Sequence, residues 1–254
     1  SPQWSETTRY INLIGIASAM KYLHQNNILH RDFKPANILL DKNFYPKVCD
    51  FGFSTSFDTK VKSKVGTQAY MAPEILQGLP YGTAVDVYSF AIMACEIMSE
   101  NTAYQGIEEF NVRHLNKIID GTLRPEFSPV VNENLKNFII KCWDSNPDNR
   151  PSFDEIFDEL TNNYTEYIVT AEESEIEKYI DYICTKNKID DLTEQINTLL
   201  NNAIRHLNLK VVIDKQQVID IVNFIKKELP RDSRNDQIII VLLYNISFEN
   251  SCNF

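Results

Sequence analysis

The sequence predicts a mainly α-helical protein, with a few short strands in its first 160 residues and an all-helical tail after them. Two observations carry this prediction. Apolar residues recur at helical spacing over several long segments. All seven glycines and nine of the ten prolines lie at or before position 151, so composition changes partway along the chain. We therefore predict two regions, residues 1–160 and 161–254.

The first region contains recognisable helices and strands in order. Residues 4–24 and 84–98 have the apolar spacing of buried helices, and the second is apolar enough to be central. Ser152 and Glu155 form a capping box that opens the last helix of this region. Between the two long helices, short apolar pieces bounded by polar turns predict brief strands at residues 27–30, 38–40 and 47–49.

The tail carries three further apolar faces at helical spacing, at residues 176–183, 192–207 and 218–229. Residues 237–246 form either a fourth helix or a buried strand, because periodicity does not separate the two in so apolar a run. We expect either a helical extension packed on the first region or a fragment of a helical repeat array. Capping and stop residues mark the predicted ends: Ser174 with Glu177, Asp214 with Gln217, and Pro230.

Composition excludes several classes of protein. A formal net charge of -10 and a pI near 4.9 argue against nucleic acid as a partner. The longest apolar run, residues 238–244, is far shorter than the ~18 residues of a membrane-spanning helix. The five cysteines show no C-x-x-C spacing and the four histidines no close pair, so a structural zinc is not expected. We expect a cytoplasmic protein, and since residue 1 is serine, a sequence that starts inside a longer chain.

A series of motifs carries the chemistry. Residues 30–37 read HRDFKPAN, and DFG follows at 50–52. Further along, residues 66–74 read GTQAYMAPE and residues 146–151 read NPDNRP. One three-residue match occurs by chance in about one in thirty chains of this length, but ordered matches in series do not. In order and spacing the series resembles the large, C-terminal lobe of a protein kinase, over residues 1–160.

The resemblance implies a serine/threonine kinase that uses ATP and Mg²⁺ on a protein substrate. Asp32 would accept the proton of the attacking hydroxyl, and Lys34 would steady the transferring phosphoryl group. Asn37 and Asp50 offer the oxygen ligands that magnesium prefers and would bind the metal and the nucleotide. Leu39 matches the residue that floors the adenine pocket, although an ordinary core leucine is equally compatible with the sequence.

Other motif residues are interpreted as structural or regulatory. Arg31 matches the arginine that often receives an activation-loop phosphate. Asp86 matches the residue that braces the catalytic loop, and Glu74 with Arg150 matches the family's buried ion pair. Thr67 matches the threonine that contacts the catalytic aspartate and lysine. His30 is interpreted as a packed core histidine.

The small-lobe motifs of a kinase do not precede Asp32, because no G-x-G-x-x-G loop and no V-A-I-K-like strand stand there. Two hypotheses follow: a kinase large lobe that needs its missing small lobe or upstream region, or a catalytically inactive binding or regulatory module without a small lobe. Lys34 and Thr67 fit serine/threonine kinases, whereas residues 141–153 resemble the end of a tyrosine-kinase or tyrosine-kinase-like large lobe. Together they indicate the tyrosine-kinase-like group with serine/threonine specificity.

Overall fold

The computed structural model describes residues 4–56, 65–168 and 172–187. Contacts divide the chain after Ile180, and every site residue described below belongs to the first unit, Ser1–Ile180. The described residues are mostly helical with few strands, as predicted for the first region. Within the described ranges, no helix is both long and apolar enough to cross a membrane.

The described residues form eight helices, four short strands and three 3-10 turns. The turns lie at Pro35–Asn37, Gln68–Tyr70 and Pro147–Asn149. The strands are β1 (Ile28–Leu29), β2 (Ile38–Leu40), β3 (Pro46–Val48) and β4 (Thr55–Ser56). The helices are α1 (Glu6–Gln25), α2 (Pro73–Gln77), α3 (Ala84–Ser99), α4 (Val112–Ile119), α5 (Glu133–Cys142), α6 (Phe153–Asn162), α7 (Tyr164–Tyr167) and α8 (residues 173–187).

Helices α1 and α3 form the centre of the core, as the apolar spacing predicted. Ser5 caps α1 by accepting a hydrogen bond from the Thr8 amide. Both helices are buried over most of their circumference, and α3 carries fully buried residues at Tyr88 and from Phe90 to Ala94. The predicted capping box of α6 is also present, since Ser152 and Glu155 each accept a bond from the other's amide.

Phe153, at the start of α6, joins the core to the loop after β1. Its ring lies 5.5 Å from that of Phe90 in α3 and 6.5 Å from that of Phe33, both edge to face. It also lies 5.0 Å from the ring of His24 in α1. Such edge-to-face contacts fix ring orientation as well as burying area. Phe153 therefore ties α1, α3 and the loop to one another.

The strands form two antiparallel pairs, β1 with β4 and β2 with β3. Three of the four were predicted. Strand β4 was missed because its two polar residues carry no apolar pattern, and it forms only as the partner of β1. In the β2–β3 hairpin, Ile38 lies opposite Val48 and Leu40 opposite Pro46.

Helix α8 begins at residue 173, so Ser174 lies inside it and the predicted cap there is wrong. Its predicted apolar face is correct at Ile176, Tyr179 and Ile183, which are all buried. The faces predicted beyond residue 187 lie outside the described residues. The region boundary at residue 160 stays a prediction.

Candidate active site

Asp86 holds the loop that carries HRD against α3. Its side chain is fully buried, and its two carboxylate oxygens accept the amides of His30 and Arg31, each at 2.9 Å. The Nε2 atom of His24, from α1, lies 3.0 Å from the same carboxylate. A buried carboxylate is stable only when such donors surround it. Asp86 therefore braces the loop from beneath, as the sequence predicted.

His30 packs rather than facing an open site. It is fully buried, and its ring lies 5.5 Å from the rings of both Phe33 and Phe51. Its Nε2 atom lies 3.1 Å from the carbonyl oxygen of Cys49, the residue before Asp50. The contacts agree with the structural interpretation of His30, which links the HRD loop to the DFG segment.

Asp32, Lys34 and Thr67 form a closed triangle of hydrogen bonds. Lys34 Nζ donates to Asp32 Oδ2 at 2.7 Å and to Thr67 Oγ1 at 2.8 Å. Thr67 donates from both its amide and its hydroxyl to Asp32 Oδ1, each at 2.9 Å. Each member thus contacts the other two. The structure brings together two residues from the HRD loop and one from a segment more than thirty residues away.

This triangle sets the ionisation of Asp32. Asp32 is only 4% exposed, and this burial by itself raises the pKa of its carboxyl group. The hydrogen bonds from Lys34 and Thr67 and the positive charge of Lys34 outweigh it, so the pKa lies below its ordinary value. Asp32 is therefore an ionised carboxylate at neutral pH.

Gly66 allows Thr67 to reach the loop. Its φ of 113° favours glycine, and a Cβ atom at this position would lie 2.6 Å from the carbonyl oxygen of Arg31. The two backbones therefore approach more closely than any other residue permits. This approach places Thr67 beside Asp32.

Asn37 and Asp50 stand at the open ends of the β2–β3 hairpin. Asn37 Nδ2 donates to the backbone oxygen of Asp32 at 2.7 Å and to its Oδ2 at 3.3 Å, which leaves Oδ1 as the Asn37 atom able to bind a cation. The carbonyl oxygen of Asn37 accepts the amide of Cys49 at 2.9 Å, so Asp50 follows one residue after this contact. Asp50 is exposed, and its Oδ1 accepts the Gly52 amide at 3.2 Å.

These two side chains fit the ligand chemistry of Mg²⁺, which takes one or two protein oxygens and completes its shell with phosphate and water. In the described ranges, no group of three or more His, Cys, Asp or Glu residues is placed to hold a metal by itself. The residues present therefore suit a metal shared with a phosphate ligand. They do not suit an all-protein cage.

Leu39 is exposed, so its interpretation as an ordinary core leucine is wrong. It is 58% exposed on β2, opposite Lys47. Three other large apolar residues close to Leu39 in the sequence are between 41% and 49% exposed: Leu40, Phe51 and Phe53. Large apolar side chains left uncovered together mark a binding or packing surface.

Glu74 and Arg150 form the predicted buried ion pair. Arg150 donates to both carboxylate oxygens of Glu74, at 2.7 and 2.9 Å, and both residues are less than a tenth exposed. The guanidinium also lies over the Tyr88 ring, 5.1 Å from its centre. The pair joins the start of α2 to the chain before α6.

Sequence reasoning missed a cavity of about 840 Å³ next to Thr67. Its walls come from residues 67–70, from Glu96 in α3 and from residues 102–110. Glu96 accepts the Tyr70 hydroxyl at 2.7 Å and the Ala103 amide at 2.6 Å, and so ties these walls together. No short motif marks this cavity, because residues 67–70 lie more than twenty positions from the other wall residues in the sequence.

Comparison with known proteins identifies the family of the region that contains this site. The family model described as "Protein kinase domain" matches residues 5–161, more than half of the chain. The chain therefore belongs to the protein kinase family.

The chain is similar to several protein kinases from Dictyostelium discoideum. A probable serine/threonine-protein kinase is 41% identical over 59% of this chain. An RGS domain-containing serine/threonine-protein kinase is 44% identical over 55% of it, and the dual specificity protein kinase shkB is 38% identical over 54%. The matched segment is 11%, 12% and 22% of the length of these relatives, so the chain spans a tenth to a fifth of each.

Proposed function

We propose that this chain provides the large lobe of a serine/threonine protein kinase of the tyrosine-kinase-like group, which transfers the γ-phosphoryl group of ATP to a protein hydroxyl once a small lobe is present. The observation that carries the proposal is the triangle of Asp32, Lys34 and Thr67. It brings together a carboxylate that can accept the proton of the attacking hydroxyl and a cation that can neutralise charge on the transferring group, with the Thr67 hydroxyl bonded to both.

The first role of Asp32 is to orient the substrate hydroxyl. Because its pKa lies below the ordinary value, it is a weak base toward an unreacted alcohol and a good acceptor for the alcohol's hydrogen bond. The substrate hydroxyl is held in line for attack, and its proton passes to Asp32 as the oxygen bonds to phosphorus. Lys34, 24% exposed and already within hydrogen-bond distance of Asp32, supplies positive charge next to the transferring group.

Asn37 Oδ1 and the Asp50 carboxylate would hold Mg²⁺ beside the nucleotide phosphates. When bound, the metal neutralises phosphate charge as the bond to the leaving oxygen breaks. The exposed face of Leu39 supports its assignment as the floor of the adenine pocket, because an apolar side chain more than half exposed is available to cover a base. The opposite wall of that pocket would come from the small lobe.

The choice of serine or threonine rests on Lys34 and Thr67, whose contact at 2.8 Å supports the serine/threonine pattern. Relatives named as serine/threonine kinases support the same specificity. The cavity next to Thr67 would take the substrate segment that flanks the acceptor residue. Residues 141–153 support the tyrosine-kinase-like group.

The test is Asp32→Asn in the complete kinase. Replacing the carboxylate by an amide keeps the shape but removes the proton acceptor, so we expect turnover of a serine peptide to fall at least ~100-fold. Asp158→Asn is the matched control, because that carboxylate is 66% exposed on α6. Activity would be measured with labelled ATP and folding by thermal melting. Turnover within a few fold of wild type in a folded Asp32→Asn protein would refute the assigned role.

A further inference from the structure

We propose that helix α8 supports the active site by packing on the β2–β3 hairpin. Tyr179 is the positioning residue through which α8 holds the hairpin in place. Helix α8 lies after the matched kinase domain, which ends at residue 161. The expected effect of Tyr179 on catalysis rests on the proposed function. The expected effect of Tyr179 on the alignment of the hairpin does not depend on that function.

Tyr179 packs directly on the hairpin. Its ring lies 4.5 Å from the ring of Tyr45, tilted by 52°, and the residue is only 3% exposed. Tyr45 precedes Pro46, the first residue of β3. Ile176, one turn earlier on α8, is fully buried, and the Glu172 amide donates to Thr7 Oγ1 of α1 at 3.3 Å. The start of α8 is therefore anchored on α1 while Tyr179 reaches the hairpin.

Gly15 makes this contact possible. It lies in the middle of α1, where glycine is unfavourable relative to alanine. A Cβ atom at position 15 would collide with the Tyr179 hydroxyl and would lie 2.6 Å from Cγ of Pro46. The missing side chain thus leaves a notch in α1 that both Tyr179 and the hairpin enter.

The other side of the hairpin turn is held by α1 itself. Asn12 Nδ2 donates to the backbone oxygen of Phe44 at 3.1 Å and to that of Thr8 at 2.8 Å. Phe44 has a φ of 61°, in the left-handed region that a phenylalanine seldom adopts. Tertiary contacts therefore maintain a turn that its own sequence does not favour.

The position of the turn matters for the site because the hairpin carries the metal-side residues. Asn37 directly precedes β2, and Asp50 follows β3 by two residues. A hairpin with only three residue pairs is not stable alone in water. Its alignment must come from what packs on it, and displacement of the turn would be passed along the ladder to the Asn37–Cys49 hydrogen bond.

The first experiment measures amide hydrogen exchange in the 254-residue chain and needs no kinase activity. The reporters are the amides of Asp41, bonded to Tyr45, and Cys49, bonded to Asn37. Tyr179→Ala should lower protection of both amides by roughly 2- to 10-fold, while amides in α3 stay unchanged. The matched control is Tyr182→Ala, since Tyr182 is on the same helix and 49% exposed. Equal protection in the two variants would overturn the proposal.

Gly15→Ala provides a second route to the same result. Alanine favours the helix, so α1 should form, but its methyl group fills the notch and collides with both the Tyr179 hydroxyl and the Pro46 ring, so the packing of α8 and of the hairpin on α1 is displaced together. We expect the same loss of protection at Asp41 and Cys49 as in Tyr179→Ala. Unchanged exchange at both reporters in a folded Gly15→Ala chain would also overturn the proposal.

The second experiment uses the complete kinase. Tyr179→Ala should raise the KM for magnesium-ATP by roughly 2- to 10-fold and leave the KM for the peptide unchanged, because the hairpin carries only the nucleotide-side residues. An equal rise in the KM for magnesium-ATP and the KM for the peptide would indicate a general structural defect and would refute a positioning role for Tyr179. A wild-type protein without kinase activity would refute the proposed function instead, and the exchange measurement would still decide the role of Tyr179.

Discussion

Replacing Thr67 by valine tests whether the hydroxyl that joins Lys34 to Asp32 is needed for turnover. Valine keeps the branched shape at an extended backbone position (φ -88°, ψ 120°) and retains the amide that donates to Asp32. It removes the 2.9 Å bond to Asp32 Oδ1 and the 2.8 Å bond from Lys34. Asp32 and Lys34 each lose one of the hydrogen bonds that align them.

The magnitude follows from the charge of the partners. A hydrogen bond to a charged group is worth about 1.5–3 kcal/mol, and each 1.36 kcal/mol is a factor of ten. If that stabilisation is used in the transition state, kcat/KM for a serine peptide should fall roughly 10- to 100-fold in the complete kinase. Thr67→Ser, which keeps the hydroxyl, should lose much less. Activity of Thr67→Val within twofold of wild type, in a folded protein, would refute the reasoning.

The same variant has a pH signature in the unfolding of the 254-residue chain. The folded pKa of Asp32 is lower than its ordinary value of 3.8, so the ionised carboxylate stabilises the fold above that pH. This contribution is lost as pH falls through the folded pKa. The wild type should therefore exceed Thr67→Val in free energy of unfolding at pH 7, and the difference should shrink below pH 3.8. A difference that is equal at both pH values would place its origin in packing instead of in ionisation.

Two further predictions concern stability. Arg150→Ala should destabilise the chain by about 3–5 kcal/mol, because it leaves the buried carboxylate of Glu74 without its partner; urea unfolding measures this, and a loss below ~1 kcal/mol would contradict it. A chain ending at residue 160 should aggregate whereas one ending at residue 180 should melt cooperatively, since the buried side chains of Tyr167 and the start of α8 belong to the first unit. A soluble, cooperatively melting 1–160 fragment would show that these residues are dispensable for the core.

Local patterns in the sequence predicted helices α1, α3 and α6, whereas α2, α4, α5 and α7 were not predicted. The apolar spacing of α1 and α3, and the reciprocal cap of Ser152 and Glu155, depend on residues within a few positions of one another. Strand β4 had no such pattern, because its pairing with β1 depends on a segment more than twenty residues away. The cap predicted at Ser174 was wrong by two positions, because the helix begins at residue 173 and the Glu172 carbonyl accepts the Glu175 amide.

The sequence by itself determined which residues we propose for the chemistry, since Asp32, Lys34 and Asn37 lie within one short motif. Only the tertiary structure decided their state. The pKa of Asp32 depends on Thr67, 35 positions away, and the notch at Gly15 is filled by Tyr179, far beyond the kinase motifs. The reason is physical: helix periodicity and capping are interactions between near neighbours, whereas burial, ionisation and cavity shape arise from groups that meet only when the chain has folded.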